Sequence, residues 1–284
     1  MYVEERLPAA ASGKPPIVMV HGGGHCGLCY TNTPDLRTGW APYFTAHGYP
    51  TYVIDWPGHG RSPMPGEFAT MSTRVVVAAV LDLVGRLPRC VLMTHSMGGP
   101  IGWLVAEKAK QSVAAVLAIA PGPPANLQPE LAEPPAPQVF PTQAMQFGAP
   151  EYQPEDRLVR FHRDSICRNW ANSAHFPSEA LDAYCRGIFP ESARAINERY
   201  NFAGRGLFIS GPDALSGIPI AVVTGDMDTR HPREADEAVA CYLGADFLWL
   251  PDYGLHGHGH MMMIEQDNLR IADALLAWLG QHGL

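Results

Sequence analysis

The sequence predicts an α/β fold: a mostly parallel, doubly wound sheet that carries one large, helical, proline-rich insertion. Three observations predict it. Short runs that are apolar at every position alternate with helix-compatible spans, the pattern of strands covered by helices on both faces. Between Pro121 and Pro154 lie ten of the chain's 27 prolines, and they interrupt that alternation. The alternation then resumes at Ile218, so the 284 residues divide into a core of 1–120 and 218–284 and an insertion of 121–217.

The elements follow in order. Ile17–Val20 is a short β-branched run that delivers His21-Gly22-Gly23-Gly24, and Thr51–Asp55 is a second that delivers Trp56-Pro57-Gly58-His59-Gly60. Residues 71–87 carry helix-compatible apolar positions and end before Pro88. A strand at 90–93 leads into a helix from 98 to about 110, and 113–120 is a fourth buried strand. The proline-rich stretch suits an extended, surface-lying segment. Helix-compatible sequence returns from 155 to about 200, with Trp170, Phe176, Tyr184, Phe189 and Tyr200 spread through it. A strand at 218–223, a helix at 232–242, a strand at 247–250 and a helix at 265–279 close the chain, and no internal repeat is present.

Composition excludes several classes. Only 17% of residues are charged, and 20 Lys and Arg stand against 28 Asp and Glu, so no basic face for nucleic acid is expected. A net charge of -8 gives no attraction to anionic membranes. The longest apolar stretches, such as 113–120, fall short of the roughly 20 residues a membrane helix needs. Acidic Glu4 and Glu5 stand where a signal peptide has positive charge, so the protein is read as cytoplasmic. Six cysteines are too sparse for a disulfide scaffold and are read as reduced, packed thiols.

Residues 91–99, Val-Leu-Met-Thr-His-Ser-Met-Gly-Gly, are the most informative. A strand that turns sharply into a helix at a serine flanked by small residues pushes the hydroxyl out at the sheet's C-terminal edge, which makes Ser96 the candidate nucleophile. Gly98 fits this G-x-S-x-G pattern; Thr94 stands where it has glycine and adds bulk where strand and helix approach. A serine before Met-Gly-Gly also suits an ordinary helix N-cap. His21-Gly22-Gly23-Gly24 shifts the weight toward a nucleophile, because glycines let backbone N–H groups approach a ligand, the alternative being a tight turn.

Together these motifs resemble the α/β-hydrolase superfamily, from about residue 15 to 121 and again from 218 to 281. The stretch 55–62, Asp-Trp-Pro-Gly-His-Gly-Arg-Ser, is similar to the family's structural D-x-x-G-x-G-x-S turn. The resemblance implies the α/β-hydrolase fold with residues 121–217 as a cap, and an oxyanion hole formed by the N–H groups of Met97 and Gly23, with Gly24 as the alternative. A serine needs a histidine to take its proton. The family places that histidine in a loop after the last strand, after a glycine and five residues before an acid; among His256, His258 and His260, this selects His260, with Gly259 before and Glu265 after. Residues 225–232 resemble the family's G-x-x-D-x-x-x-P, which selects Asp228 as the acid and leaves Asp226 as a turn-forming side chain. The Gly-His-Gly-His-Met-Met-Met ending also resembles a bacterial esterase subgroup whose acid is a glutamate just after the preceding core strand, where this chain has Ala120-Pro121 and no carboxylate before Glu130.

The implied activity is that of a carboxylesterase-like serine hydrolase, cleaving an ester or lactone of a small to medium, largely apolar substrate through an acyl-enzyme. No cofactor or metal is expected, and oligomeric state is not readable. Alternatives are an amide or carbon–carbon bond hydrolase, a cofactor-independent lyase or oxygenase using His260 and Asp228 as a base pair, and a ligand-binding protein without turnover. The trio His256, His258 and His260 admits a metal reading, and Cys26 and Cys29 form a C-x-x-C read as packing or substrate contact. Met261-Met262-Met263 suit either an acyl pocket or core packing; Trp170 and Phe176 suit either the pocket or the insertion's own core.

Overall fold

A computed structural model of the chain describes residues 1–134 and 150–284; Pro135, Pro137 and Pro141 of the proline-rich stretch lie outside the described residues. The strands are β1 (Tyr2–Arg6), β2 (Ile17–Val20), β3 (Thr51–Asp55), β4 (Cys90–His95), β5 (Val113–Ile119), β6 (Leu158–Val159), β7 (Glu191–Ser192), β8 (Ile220–Thr224) and β9 (Asp246–Trp249). Seven of them form one sheet in the order β1-β3-β2-β4-β5-β8-β9, parallel throughout except for β1, which runs antiparallel on β3 with Tyr2 opposite Asp55 and Arg6 opposite Thr51. β6 and β7 pair separately within the insertion.

Alternation along the strands divides the core in two. Val18, Val20, Leu92, Val116, Ala118 and Val222 face helices α3 (Thr73–Arg86), α4 (Gly98–Lys108) and α8 (Arg233–Leu243). Ile17, Met19, Val91, Met93, Leu117, Ile119 and Val223 face α1 (Leu28–Thr31), α2 (Trp40–Ala46) and α9 (Asn268–Gln281). Because both faces are covered, the central strands are apolar at every position, and each fully buried Val, Ile or Leu contributes about 1.5–3 kcal/mol. β1, Tyr-Val-Glu-Glu-Arg, half exposed at the sheet edge, lacks that signature and was not anticipated.

The insertion contributes α5 (Arg163–Asn169), α6 (Leu181–Arg186) and α7 (Ala193–Arg199). Its aromatics Trp170, Phe176 and Tyr184 belong to the same buried cluster as α2 and α9, and Met261, Met262 and Met263 are fully buried there too. The start of the proline-rich stretch is not surface-lying as expected: Pro121, Gly122, Pro124 and Ala125 are buried, and Gly122 O accepts from Trp103 Nε1 at 3.0 Å.

The threonine that departs from the elbow pattern is accommodated from the opposite side. A Cβ added at Gly102, on α4, would collide with Thr94 Cγ2, so the missing glycine of β4 is replaced by a glycine of the helix packed on it. Gly102→Ala is expected to destabilise the fold by about 1–3 kcal/mol despite alanine's better helix propensity. Thr94→Ser, which removes the methyl, is expected to relieve most of that cost in the double variant; a urea double-mutant cycle with no coupling refutes the compensation.

Candidate active site

Ser96 stands at the end of β4 with φ 50°, in the left-handed region that non-glycine residues adopt only when their surroundings enforce it. Those surroundings are specific. Ser96 N donates to Ile119 O at 3.2 Å, and Ser96 O accepts from Gly99 N and Gly122 N, both at 2.8 Å. A Cβ on Gly98 would lie 2.8 Å from His21 O and 2.9 Å from Val20 O, so α4 can start here only with a glycine.

The glycine loop after β2 lies directly on this turn. A Cβ on Gly22 would come 2.9 Å from Ser96 Cβ, and one on Gly23 would collide with Met97 Sδ. The loop's other polar groups are occupied. Gly22 O accepts from His25 N at 3.4 Å, Gly23 O contacts His25 Nδ1 at 2.9 Å, Gly24 O accepts from Phe189 N at 2.8 Å and Gly24 N donates to Glu191 Oε2 at 3.1 Å. Among the described residues no hydrogen bond uses the N–H of Gly23 or of Met97, whereas that of Gly24, the alternative oxyanion donor, is taken.

His260 Nδ1 and Asp228 Oδ2 are 2.8 Å apart, both residues buried. Asp228 Oδ1 accepts from Arg230 N at 2.8 Å and His231 N at 3.2 Å. Burial opposes the Asp228 charge, but His260 and these N–H groups more than offset it and hold the carboxyl at about 2. Burial dominates at His260 and lowers its pKa, with Asp228 pulling the other way. His95, the neighbour of Ser96, links the two segments: its Nε2 is 3.0 Å from His260 O, and the rings lie 4.7 Å apart. Among the described residues no hydrogen bond joins the Ser96 hydroxyl to His260; such bonds commonly tighten only with substrate bound.

The neighbouring candidates go elsewhere. Asp226, expected to shape its own turn, instead accepts from Gly257 N at 2.7 Å and His258 N at 3.2 Å and so anchors the histidine loop. His258 Nδ1 is 3.0 Å from Glu265 Oε2 and stacks on His175, Glu265 also accepts from Gly259 N, and His256 is exposed. Among the described residues no group of three His, Cys, Asp or Glu is gathered to hold a metal ion. Cys26 and Cys29 are free thiols whose pKa values burial raises, and Cys29 is packed in the core.

Sequence reasoning missed the residues that fix the glycine loop from the insertion. Tyr184 OH is 2.9 Å from His25 Nε2, and Glu191, wholly buried on β7, holds Gly24 N–H while facing His59 Nε2 at 3.3 Å, an ion-pair contact. Burial opposes a charged His59, but Glu191 outweighs it and raises the pKa. No motif marks Glu191, and it stands in the sequence as one of several acids of the insertion, among them Glu179, Asp182 and Glu198.

A profile described as the alpha/beta hydrolase family matches residues 17–274. The chain is 24% identical over 347 aligned positions to a protein named as a probable secreted lipase, phiG, of a fungal species, covering 98% of this chain and 85% of that one. Among solved structures it is similar to a novel bacterial esterase (20% identity, TM-score 0.61, covering 100% of this chain and 86% of that one). It is also similar to polyneuridine aldehyde esterase (15% identity, TM-score 0.66, covering 93% and 98%). At these identities the two structures share the fold. No helix among the described residues is long and apolar enough to cross a membrane.

The His59–Glu191 pair makes stability depend on pH in a defined direction. A histidine whose folded pKa lies above its usual 6.5 adds stability that is fully present below 6.5 and fades as pH rises through the folded value. Glu191→Gln keeps an acceptor for Gly24 N–H but removes the charge. Its deficit in urea stability against the parent protein is expected to be largest near pH 5.5 and to shrink above neutrality. A deficit independent of pH shows that the pair is not ionised.

Proposed function

The chain belongs to the alpha/beta hydrolase family, and from that premise we propose that it is a serine hydrolase that cleaves a carboxylic ester or lactone of a small to medium, largely apolar substrate through an acyl-enzyme. The observation that carries this reading is the buried His260–Asp228 bond beside the turn that holds Ser96 at positive φ, with two unoccupied N–H groups, of Gly23 and Met97, next to that serine.

Ser96 Oγ attacks the carbonyl carbon while His260 Nε2 takes the hydroxyl proton, and Asp228 stabilises the resulting imidazolium. The carbonyl oxygen becomes an anion held by Gly23 and Met97 N–H, each donor worth about 3 kcal/mol of barrier. As the tetrahedral intermediate collapses, the alkoxide leaves and takes the proton from His260. Water, deprotonated by His260 in turn, attacks the acyl carbon, releases the acid and restores Ser96. The step requires no metal or organic cofactor. Residues 121–217 act as a cap that selects the substrate, and the fungal relative and the esterase structures favour ester chemistry over the lyase, oxygenase and binding-protein readings. A cytoplasmic location gains nothing from a relative named as secreted.

Ser96→Ala is expected to abolish turnover of a p-nitrophenyl ester while leaving the thermal unfolding transition in place. A fluorophosphonate probe is expected to modify Ser96 stoichiometrically; a folded protein that is not labelled favours the non-hydrolytic readings. The acid limb also has a sign. His260 must be neutral to accept the proton, and burial lowers its pKa below 6.5, so the base stays available to lower pH, while Asp228 at about 2 stays ionised throughout. The acid midpoint of kcat/KM is expected below pH 6.5, and a midpoint above it counts against His260 as the base.

A further inference from the structure

Three consecutive glycines let the loop after β2 lie against the serine turn, but they also give its backbone more freedom than other residues would. An oxyanion donor acts only if its direction is fixed before the reaction, so the fixing must come from outside the triplet. Gly22 O is held from the core. His21 Nε2 accepts from Trp56 N at 3.0 Å, and burial keeps the ring neutral, so Nδ1 carries the proton and donates to Gly22 O at 2.8 Å. The next peptide unit, Gly23–Gly24, is held at both ends: its carbonyl lies 2.9 Å from His25 Nδ1, and its N–H donates to Glu191 Oε2 at 3.1 Å. The His25 end depends on one hydroxyl of α6. A carbonyl only accepts, so His25 Nδ1 carries a proton; burial lowers the pKa of the ring to about 4, so it is neutral and Nε2 bears a lone pair. Tyr184 OH, 2.9 Å away and pushed well above its usual pKa by burial, donates to that lone pair. Trp170, 4.9 Å from the His25 ring, and Tyr184, at 5.8 Å, flank it from the insertion.

We propose that Tyr184 is a positioning residue for the oxyanion hole: acting from the insertion through His25, it fixes the Gly23–Gly24 peptide and with it the direction of Gly23 N–H. The proposal rests on the reading of Ser96 as the nucleophile and of Gly23 N–H as a donor to its adduct. The hydroxyl selects the His25 tautomer. Without it Nε2 is a buried acceptor with no donor facing it, and a proton moved to Nε2 would leave a lone pair on Nδ1 opposite Gly23 O, releasing the carbonyl. Tyr184 acts at one remove, so its effect falls on the anion that exists only in the tetrahedral state and not on ground-state binding. Glu191 still holds the Gly24 end, so the hydroxyl carries the share of one neutral hydrogen bond, about threefold to tenfold in rate.

The experiment uses Tyr184→Phe, which keeps the ring and removes the hydroxyl, with concentrations set by fluorophosphonate titration so that only folded, reactive sites are counted. For a p-nitrophenyl ester kcat/KM is expected to fall about threefold to tenfold. An alkyl trifluoromethyl ketone, whose adduct with Ser96 carries an oxyanion, is expected to bind more weakly by the same factor. The corresponding trifluoromethyl alcohol, which forms no adduct, is expected to bind as it does to the unaltered protein. In a His25→Ala background Tyr184→Phe is expected to add no further loss, because the hydroxyl acts through that ring. Unchanged ketone affinity in Tyr184→Phe overturns the role, as does a variant that loses thermal stability alone with kcat/KM per labelled site intact. A loss that adds in full to that of His25→Ala overturns the route through His25. Absence of both turnover and fluorophosphonate labelling in the unaltered protein overturns the hydrolase reading instead.

Discussion

The arrangement depends on one close approach, the loop after β2 lying against the turn after β4. Gly22 and Gly23 touch Ser96 and Met97 with no room for a side chain, and Gly98 lets α4 begin over the carbonyls of Val20 and His21. Adjacent parallel strands bring two chain ends to the same sheet edge, but only residues without Cβ let those ends share that edge this tightly. The serine's positive φ costs on the order of 1–3 kcal/mol and persists because hydrogen bonds from β5, Gly99 and Gly122 fix its peptide groups.

The insertion participates in that contact. Phe189 and Glu191 hold Gly24 through backbone and side chain, and Tyr184 reaches Gly23 through His25. A Cβ on Gly24 would stand 2.8 Å from Phe161, another residue of the insertion. The insertion thus immobilises the glycine loop, so changes within it alter the geometry beside Ser96 as well.

The buried strands were legible because burial on both faces leaves a short unbroken apolar run that ends in a turn-forming loop, whereas the apolar runs of the helices, such as 75–81, sit inside longer spans. β1 was not, because an edge strand that is half in water keeps its glutamates and arginine. Ser96 and the glycine loop could be read from local spacing, and His260 and Asp228 from resemblance to a family pattern. Glu191 and Tyr184 could not: what matters about them is the groups they face across long sequence separations, 167 positions in the case of Gly24 and Glu191, and one sequence carries no record of those distances. Thr94 shows the reverse case, where a local departure from the pattern is balanced by Gly102, eight residues on.

The pairing of β5 with β8 has a consequence for biosynthesis. Val116 meets Ile220 only after the whole insertion has been made, and His95 meets His260 across 165 positions. Parallel pairings of such separation form late, after the local helices and the strands on either side of β2. A chain still on the ribosome therefore carries the serine turn and its glycine loop without the histidine or the aspartate. Until the segment from β8 onward is free to dock, the β5 edge of the sheet stays open, and that edge is the stretch most exposed to mispairing in the meantime.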